Sequence, residues 1–226
     1  MSTDGPPPRA WLSWSSGKDA AFALSEVRRT REVDVVALLS VVSEAFGRVS
    51  MHGVREELLQ AQARAAGLPL VTVRLPYPCP NEVYEEAMRG AMERARRDGV
   101  QAMVFGDLFL EEVRRYREER LAPLGVRAVF PLWGRPTDAL ARSMIEAGVH
   151  ARICCLDPKR LPRSFAGRRL DATLLDELPP DVDPCGERGE FHTFVSEAPA
   201  LRSPVPVRVG ETVERDGFVF TDLIPA

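Results

Sequence analysis

Two stretches of this chain concentrate residues that can do chemistry. The first, Ser15-Ser-Gly-Lys-Asp-Ala20, follows a short apolar run and leads into the helix-forming Ala21-Phe-Ala-Leu24. Small residues there let the backbone approach a ligand closely. The N–H groups opening the next helix suit a phosphate. Ser15 and Ser16 add hydroxyl donors, Gly17 removes bulk, and Lys18 adds a positive charge. Asp19 can hold a magnesium ion beside phosphates. The Gly-x-x-x-x-Gly-Lys-Ser/Thr pattern of a Walker A loop is absent.

The second stretch, Asp183-Pro-Cys-Gly-Glu-Arg-Gly-Glu-Phe-His-Thr193, reads as a shaped loop, because Pro184, Gly186 and Gly189 exclude a regular helix. It crowds Asp183, Cys185, Glu187, Glu190, His192 and Thr193 together. One Cys with one His makes a weak zinc site. A Cys185–His192 nucleophile pair is chemically possible without support from spacing. The carboxylates favour a pocket for a cation or for deprotonating an incoming amine. Between the two stretches, Gly106-Asp107 and the i,i+4 pair Tyr116/Arg120 stand out from a helix whose Glu and Arg residues otherwise read as a solvated face.

The elements that must position these residues alternate. Strands are expected at about residues 10–14, 34–42, 68–75, 100–105 and 126–130, and helices at 19–31, 54–66, 82–98 and 110–122, with a loop over 43–50. Such alternation predicts parallel βαβ units in an α/β domain of about five strands flanked by helices. Ligands bind outside the carboxyl ends of such strands. Residues 15–19, Ser40, Gly106-Asp107 and residues 131–133 all fall there. Beyond a soft boundary near residue 136 come one more helix to about 147, a strand at 149–156, and two strand-like pieces, 205–209 and 218–224, that can pair across Arg215-Asp216-Gly217. The expected organisation is a flexible leader over 1–9, a nucleotide-binding domain over 10–136 and a smaller α+β region over 137–226.

The chain has 226 residues, 45% hydrophobic and 28% charged, enough for a full core. A net charge of −3 argues against a protein whose main task is gripping nucleic acid. No apolar run approaches the ~20 residues that span a bilayer. The polar, Pro-rich start is unlike a signal peptide, and the four cysteines form no C-x-x-C pair. A cytoplasmic protein with reduced thiols is expected.

Residues 15–20 resemble the pyrophosphate loop of the N-type ATP pyrophosphatases, usually Ser-Gly-Gly-Lys-Asp-Ser. Ser16 replaces the first Gly, a mild change, and Ala20 replaces the last Ser, removing one hydroxyl. With Ser50-Met-His-Gly53, Gly106-Asp107 with Tyr116 and Arg120, Pro131-Leu-Trp133 and the 183–193 motif, the chain resembles the diphthine–ammonia ligase family in its short form. That resemblance implies a HUP-type Rossmann-like fold and an ATP-dependent amide-forming ligase. ATP would adenylate a carboxylate, releasing pyrophosphate, and ammonia would displace AMP.

The namesake acceptor is diphthine on translation elongation factor 2. By the same resemblance Ser15, Ser16, Gly17, Lys18, Asp19, Ala20 and Gly106 would hold the phosphates, with magnesium at Asp19. Ser40, Met51 and His52 would lie near the adenosine. Lys18, Asp107, Glu187, Glu190 and His192 would be catalytic. Tyr116, Arg120, Trp133, Asp183, Cys185, Gly186 and Thr193 would meet the acceptor, the Trp133 face and carboxylates suiting its trimethylammonium group. Ammonia would come from solution or a partner, and the chain can form a homo-oligomer. Two alternatives remain: an RNA-modifying pyrophosphatase, which usually needs sulfur-relay cysteines and an RNA-gripping surface, and a nucleotide-binding regulator. The reactive 183–193 loop argues against the regulator.

Overall fold

A computed structural model describes residues 5–226. Most of the leader expected over 1–9 lies outside the described residues or in a short coil, and Arg9 already begins the first strand. β1 (Arg9–Ser13) pairs in parallel with β2 (Asp34–Ser43) on one side and β5 (Ala102–Val104) on the other. β4 (Leu70–Leu75) extends the sheet beyond β2, and β6 (Arg127–Val129) extends it beyond β5, both parallel. Chain order therefore reverses at β1. The residues leaving its carboxyl end stand at the switch point of the sheet, where α/β proteins bind ligands.

A short β3 (Arg48–Val49) pairs antiparallel with Val42 and Ser43 at the end of β2, in the stretch expected to be only a loop. β2 outruns β1, so the edge left bare past Leu39 is free to take this two-residue strand.

Helices α1 (Lys18–Thr30) and α2 (Glu56–Ala66) cover one face of the sheet, and α3 (Asn81–Arg97) and α4 (Glu111–Leu121) help bury the other. Alternation along β1 serves both faces: Ala10 and Leu12 join the first core, and Trp11 joins Leu39, Met92, Met103 and Leu121 in the second. α1 carries Asp19 in its first turn and Arg28 and Arg29 in its last, matching the helix dipole.

After α5 (Thr137–Glu146), β7 (His150–Leu156), α6 (Ala172–Glu177), β8 (Phe191–Glu197), β9 (Val207–Arg215) and β10 (Phe218–Pro225) build an antiparallel sheet of order β8-β7-β10-β9. The expected hairpin forms, with Asp216 and Gly217 both at positive φ (+54° and +81°) as a tight two-residue turn requires. β9 runs further than expected, to Arg215. The final motif is also not loop throughout, because Phe191, His192 and Thr193 open β8. Phe194, Ile153, Val219 and Leu223 of this sheet share one continuous core with Leu12, Leu24, Leu38 and Leu58 of the first. Among the described residues, no helix is long and apolar enough to cross a membrane.

Candidate active site

The turn after β1 is shaped before it is functional. Ser16 is fully buried at φ +71°, a left-handed conformation that costs an L-residue roughly 1 kcal/mol or more. Replacing the Gly of the resembled loop by Ser is therefore not the mild change expected. The strain is held by hydrogen bonds to the Ser16 carbonyl, which accepts from Val195 N–H (3.0 Å) and Gln62 Nε2 (3.1 Å). Gln62 also accepts from Trp14 Nε1 (3.0 Å) and donates to the Val195 carbonyl (2.6 Å). This fully buried amide ties α2, the loop and β8 together. Sequence reasoning missed it, although a polar residue on the apolar stripe Leu58, Leu59, Ala63, Ala66 is a visible signal.

β8 completes the loop. The Lys18 N–H donates to Thr193 Oγ1 (3.1 Å). Gly17 sits in a tight place: a Cβ there would stand 3.0 Å from His52 Cε1 and 3.3 Å from the Thr193 carbonyl. Gly106 is placed the same way where the chain leaving β5 crosses α1, because its Cβ would meet the Asp19 backbone carbon at 2.9 Å.

A cleft of about 250 Å³ opens here, lined by Ser15, Lys18, Asp19, Ala20, His52, Gly106, Asp107, Arg117, Cys185, Gly186, Glu187, His192 and Thr193. Residues expected from distant parts of the chain thus meet in one place. Lys18 is almost fully buried; its Nζ donates to Asp19 Oδ2 (2.8 Å), Asp19 Oδ1 (3.0 Å) and the Cys185 carbonyl. Burial, the largest influence, pulls its pKa down, but Asp19, Cys185 and Glu187 together push it up further, and the amine is held above its usual value as a cation.

Glu187 accepts from the Leu108 N–H (2.8 Å). Burial raises its carboxyl to about 7, and the nearby Asp19 and Asp107 also push it upward. His52 and His192 lie against each other with ring centroids 4.5 Å apart and their planes tilted by 38°. Burial, with the Lys18 charge, lowers His192 to about 4, and burial plus His192 lowers His52 well below its usual range. Both are neutral imidazoles at pH 7. The His52 Nδ1–H donates to the Thr193 carbonyl (3.2 Å), leaving Nε2 unprotonated.

Other expected site residues have different surroundings. Glu190, expected to be catalytic, is fully buried and does not line the cleft. Its oxygens accept from Asp183 N–H (3.1 Å) and Arg188 N–H (2.9 Å), so it frames the loop from within. Asp183, expected at the acceptor, likewise accepts from Glu187 N–H (2.9 Å). The Cys185 thiol donates to the Thr137 carbonyl (3.4 Å), and burial pushes its pKa up to about 12. The thiol is engaged with Thr137, and it is the Cys185 carbonyl that meets Lys18.

Ser40 Oγ is spent on the Trp14 carbonyl. Met51 is exposed and outside the cleft lining. Trp133 lines neither this cleft nor the larger cavity beside it, and Arg114 already lies over its ring at 4.8 Å. The expected place for a trimethylammonium group is therefore taken by an internal cation.

Tyr116 and Arg120 line that larger cavity, of about 540 Å³, between the sheet and helices α3 and α4. Arg117, which sequence reasoning passed over, reaches inward to both spaces. Its signal was a charge on the stripe Val113, Arg117, Leu121, the helix face turned to the sheet.

The family model of the diphthamide synthase N-terminal domain matches residues 9–128, and that of the diphthamide synthase C-terminal domain matches residues 136–220. The chain belongs to the diphthamide synthase family. Relatives include a diphthine–ammonia ligase of Danio rerio, 28% identical over an alignment of 231 positions that covers 88% of this chain and 86% of that protein. Another diphthine–ammonia ligase, of Schizosaccharomyces pombe, is 28% identical over 111 residues, covering 46% of this chain and 18% of that protein. The family matches take in both the phosphate-loop sheet and most of the antiparallel sheet, the two parts that meet at the Ser16–Val195 contact.

Proposed function

We propose that this chain is an ATP-dependent ligase that converts a carboxylate to an amide through an acyl-adenylate. The observation that carries the reading is the joining of a phosphate loop to the 183–195 segment, with Lys18 and Glu187 lining one cleft. A nucleotide sensor needs the loop but not a base of near-neutral pKa beside it. Residues 10–136 would hold the nucleotide, and 137–226 would supply the acceptor side.

In the first step an oxygen of the acceptor carboxylate bonds to the α-phosphorus of ATP. The bond from that phosphorus to the bridging oxygen breaks, and its electron pair leaves with pyrophosphate. Lys18 and the first turn of α1 meet the charge on the departing group. In the second step the nitrogen of ammonia bonds to the acyl carbon, the carbon–oxygen bond to AMP breaks, and Glu187 accepts the proton that nitrogen sheds.

The donor set suits magnesium in the way that phosphate-borne ions bind, through one or two carboxylates and the phosphates themselves. Asp19 and Asp107 line the cleft, and among the described residues no cluster of three or more ligating side chains forms an all-protein cage. Magnesium would supply charge neutralisation on the phosphates. The relatives' names make diphthine, carried by a translation elongation factor, the first acceptor to test. Free ammonia would be the nitrogen donor and the cytoplasm the setting.

The experiment is release of pyrophosphate and AMP from magnesium–ATP with ammonium, with and without diphthine-bearing elongation factor. Acceptor-dependent release, abolished by Lys18→Ala and reduced by Glu187→Gln, is expected. Tight ATP binding without any release, across a panel of carboxylates, would count for the regulator instead.

A further inference from the structure

The phosphate cleft and the larger cavity beside it are adjoining spaces, with Ser13, Ser15, Phe105 and Arg117 lining both. The cleft holds the phosphate loop. The larger space has the apolar walls that a flat nucleoside needs, among them Leu39, Val41, Met88 and Met103. In ATP the α-phosphate is the link between nucleoside and pyrophosphate. A nucleotide spread over both spaces puts that phosphorus against their common wall.

Arg117 is the cation of that wall. Its guanidinium is fixed on two sides before any ligand arrives. It pairs with Asp107 (Nε to Oδ2 2.8 Å, Nη2 to Oδ1 3.0 Å) and lies over the Phe105 ring, 4.2 Å from the centroid. An arginine held this way costs little reorganisation when it meets a phosphate, and its planar fork matches phosphate oxygens.

We propose that Arg117 is a catalytic residue that binds the α-phosphate of the nucleotide and stabilises the charge that gathers there during adenylation. The need is electrostatic. In the first step an anionic carboxylate must approach an anionic phosphate, and the phosphorus gains a fifth oxygen before pyrophosphate leaves. A fixed cation at this point offsets that repulsion most where the charge is greatest, in the transition state. Arg115, two residues before Arg117 on α4, is exposed and lines neither space. It serves as the control.

This assignment rests on the ATP-dependent reading above, so its test begins with binding, which needs no turnover. Titration calorimetry with AMP, adenosine and pyrophosphate is run on the wild type, Arg117→Met, Arg117→Lys and Arg115→Met, with thermal melts alongside. The wild type binds AMP more tightly than adenosine. Arg117→Met should lose about tenfold in AMP affinity while adenosine and pyrophosphate stay within about twofold. Arg117→Lys should fall between, and it carries the test if the methionine variant fails to fold. Arg115→Met should match the wild type.

In turnover, pyrophosphate release by Arg117→Met should fall by about 10²–10³-fold, more than its loss in binding. The proposal is overturned by unchanged AMP affinity in Arg117→Met, or by adenosine affinity falling as far as AMP affinity, the mark of a structural role. It is also overturned by a wild type that binds neither AMP nor pyrophosphate. A wild type that shows the AMP pattern but no acceptor-dependent release overturns the ligase reading and leaves the Arg117 contact standing.

Discussion

At the scale of single residues, the cleft sorts its titratable groups by environment. Lys18 is kept charged by Asp19, the two histidines are kept neutral by burial, and Glu187 is raised by burial to about 7. Among these four groups only Glu187 changes state near neutral pH, so the base limb of turnover is assigned to it. At a fixed concentration of free ammonia, the amide-forming rate should rise about tenfold per pH unit below 7 and level off above it. Glu187→Gln should remove that limb and lower the rate by roughly 10²–10⁴-fold. A pH–rate profile with the same midpoint in the glutamine variant would sink the assignment.

The same raised pKa has a consequence for stability. An unfolded chain releases this proton at lower pH than the folded one, so folding weakens as pH rises from about 4.5 to 7. Glu187→Gln should therefore be more stable than the wild type at pH 8, by on the order of 1–2 kcal/mol, while being less active. Chemical denaturation at pH 5 and pH 8 measures the difference.

At the scale of elements, the phosphate loop depends on three neighbours that sequence does not place beside it. Its carbonyl at Ser16 is held by Val195 and Gln62, and its Lys18 N–H by Thr193. Gln62→Leu fits the stripe of α2 but strands the Trp14 indole N–H and removes a donor from two buried carbonyls. It should lower stability by about 2–3 kcal/mol and weaken ATP binding several-fold by loosening the left-handed Ser16. A urea midpoint and ATP affinity both equal to wild type would refute this.

Legibility in the sequence follows from the same contacts. The alternation of strands and helices, the 15–20 turn and the tail hairpin are local patterns, and the structure repeats them with shifts of one to a few residues at most ends. β3 has two residues, too few to carry a pattern. The work of Glu190 and Asp183 could not be read locally either. A carboxylate aimed at a substrate and one aimed at its own loop's N–H groups have the same sequence. Only their burial and the direction of Glu187 tell them apart. Arg117 and Tyr116 are adjacent in sequence, and the helix turn alone decides that Arg117 lines both spaces and Tyr116 only the larger one.

At the scale of the molecule, the site depends on the two sheets staying together, since Thr193 and Val195 of β8 and Glu187 of the loop leading into it approach from the second. Their shared core makes one cooperative unit, and a polar contact on its flank reports on the union. Asp222 of β10 accepts from Arg55 Nη2 (2.6 Å) and Nε (3.0 Å), before α2, and from Arg48 Nη1 (2.8 Å) on β3. Hydrogen bonds from these arginines, Arg55 foremost, hold its carboxyl down to about 2.

For a carboxyl depressed in the folded state, the contribution to stability is complete above the unfolded pKa of about 4 and disappears as pH falls through the folded value. Acid should therefore loosen the second sheet from the first between about pH 4 and pH 2. Arg55 is more than a third exposed, so solvent screening limits the contribution to about 1 kcal/mol. Asp222→Asn should lose that amount at pH 6 and differ little from wild type at pH 2. Its ATP affinity should fall together with its urea midpoint if the sheets' union sustains the loop. A variant that melts earlier at pH 6 yet binds ATP as wild type in the folded state would show that the loop keeps its shape without this contact.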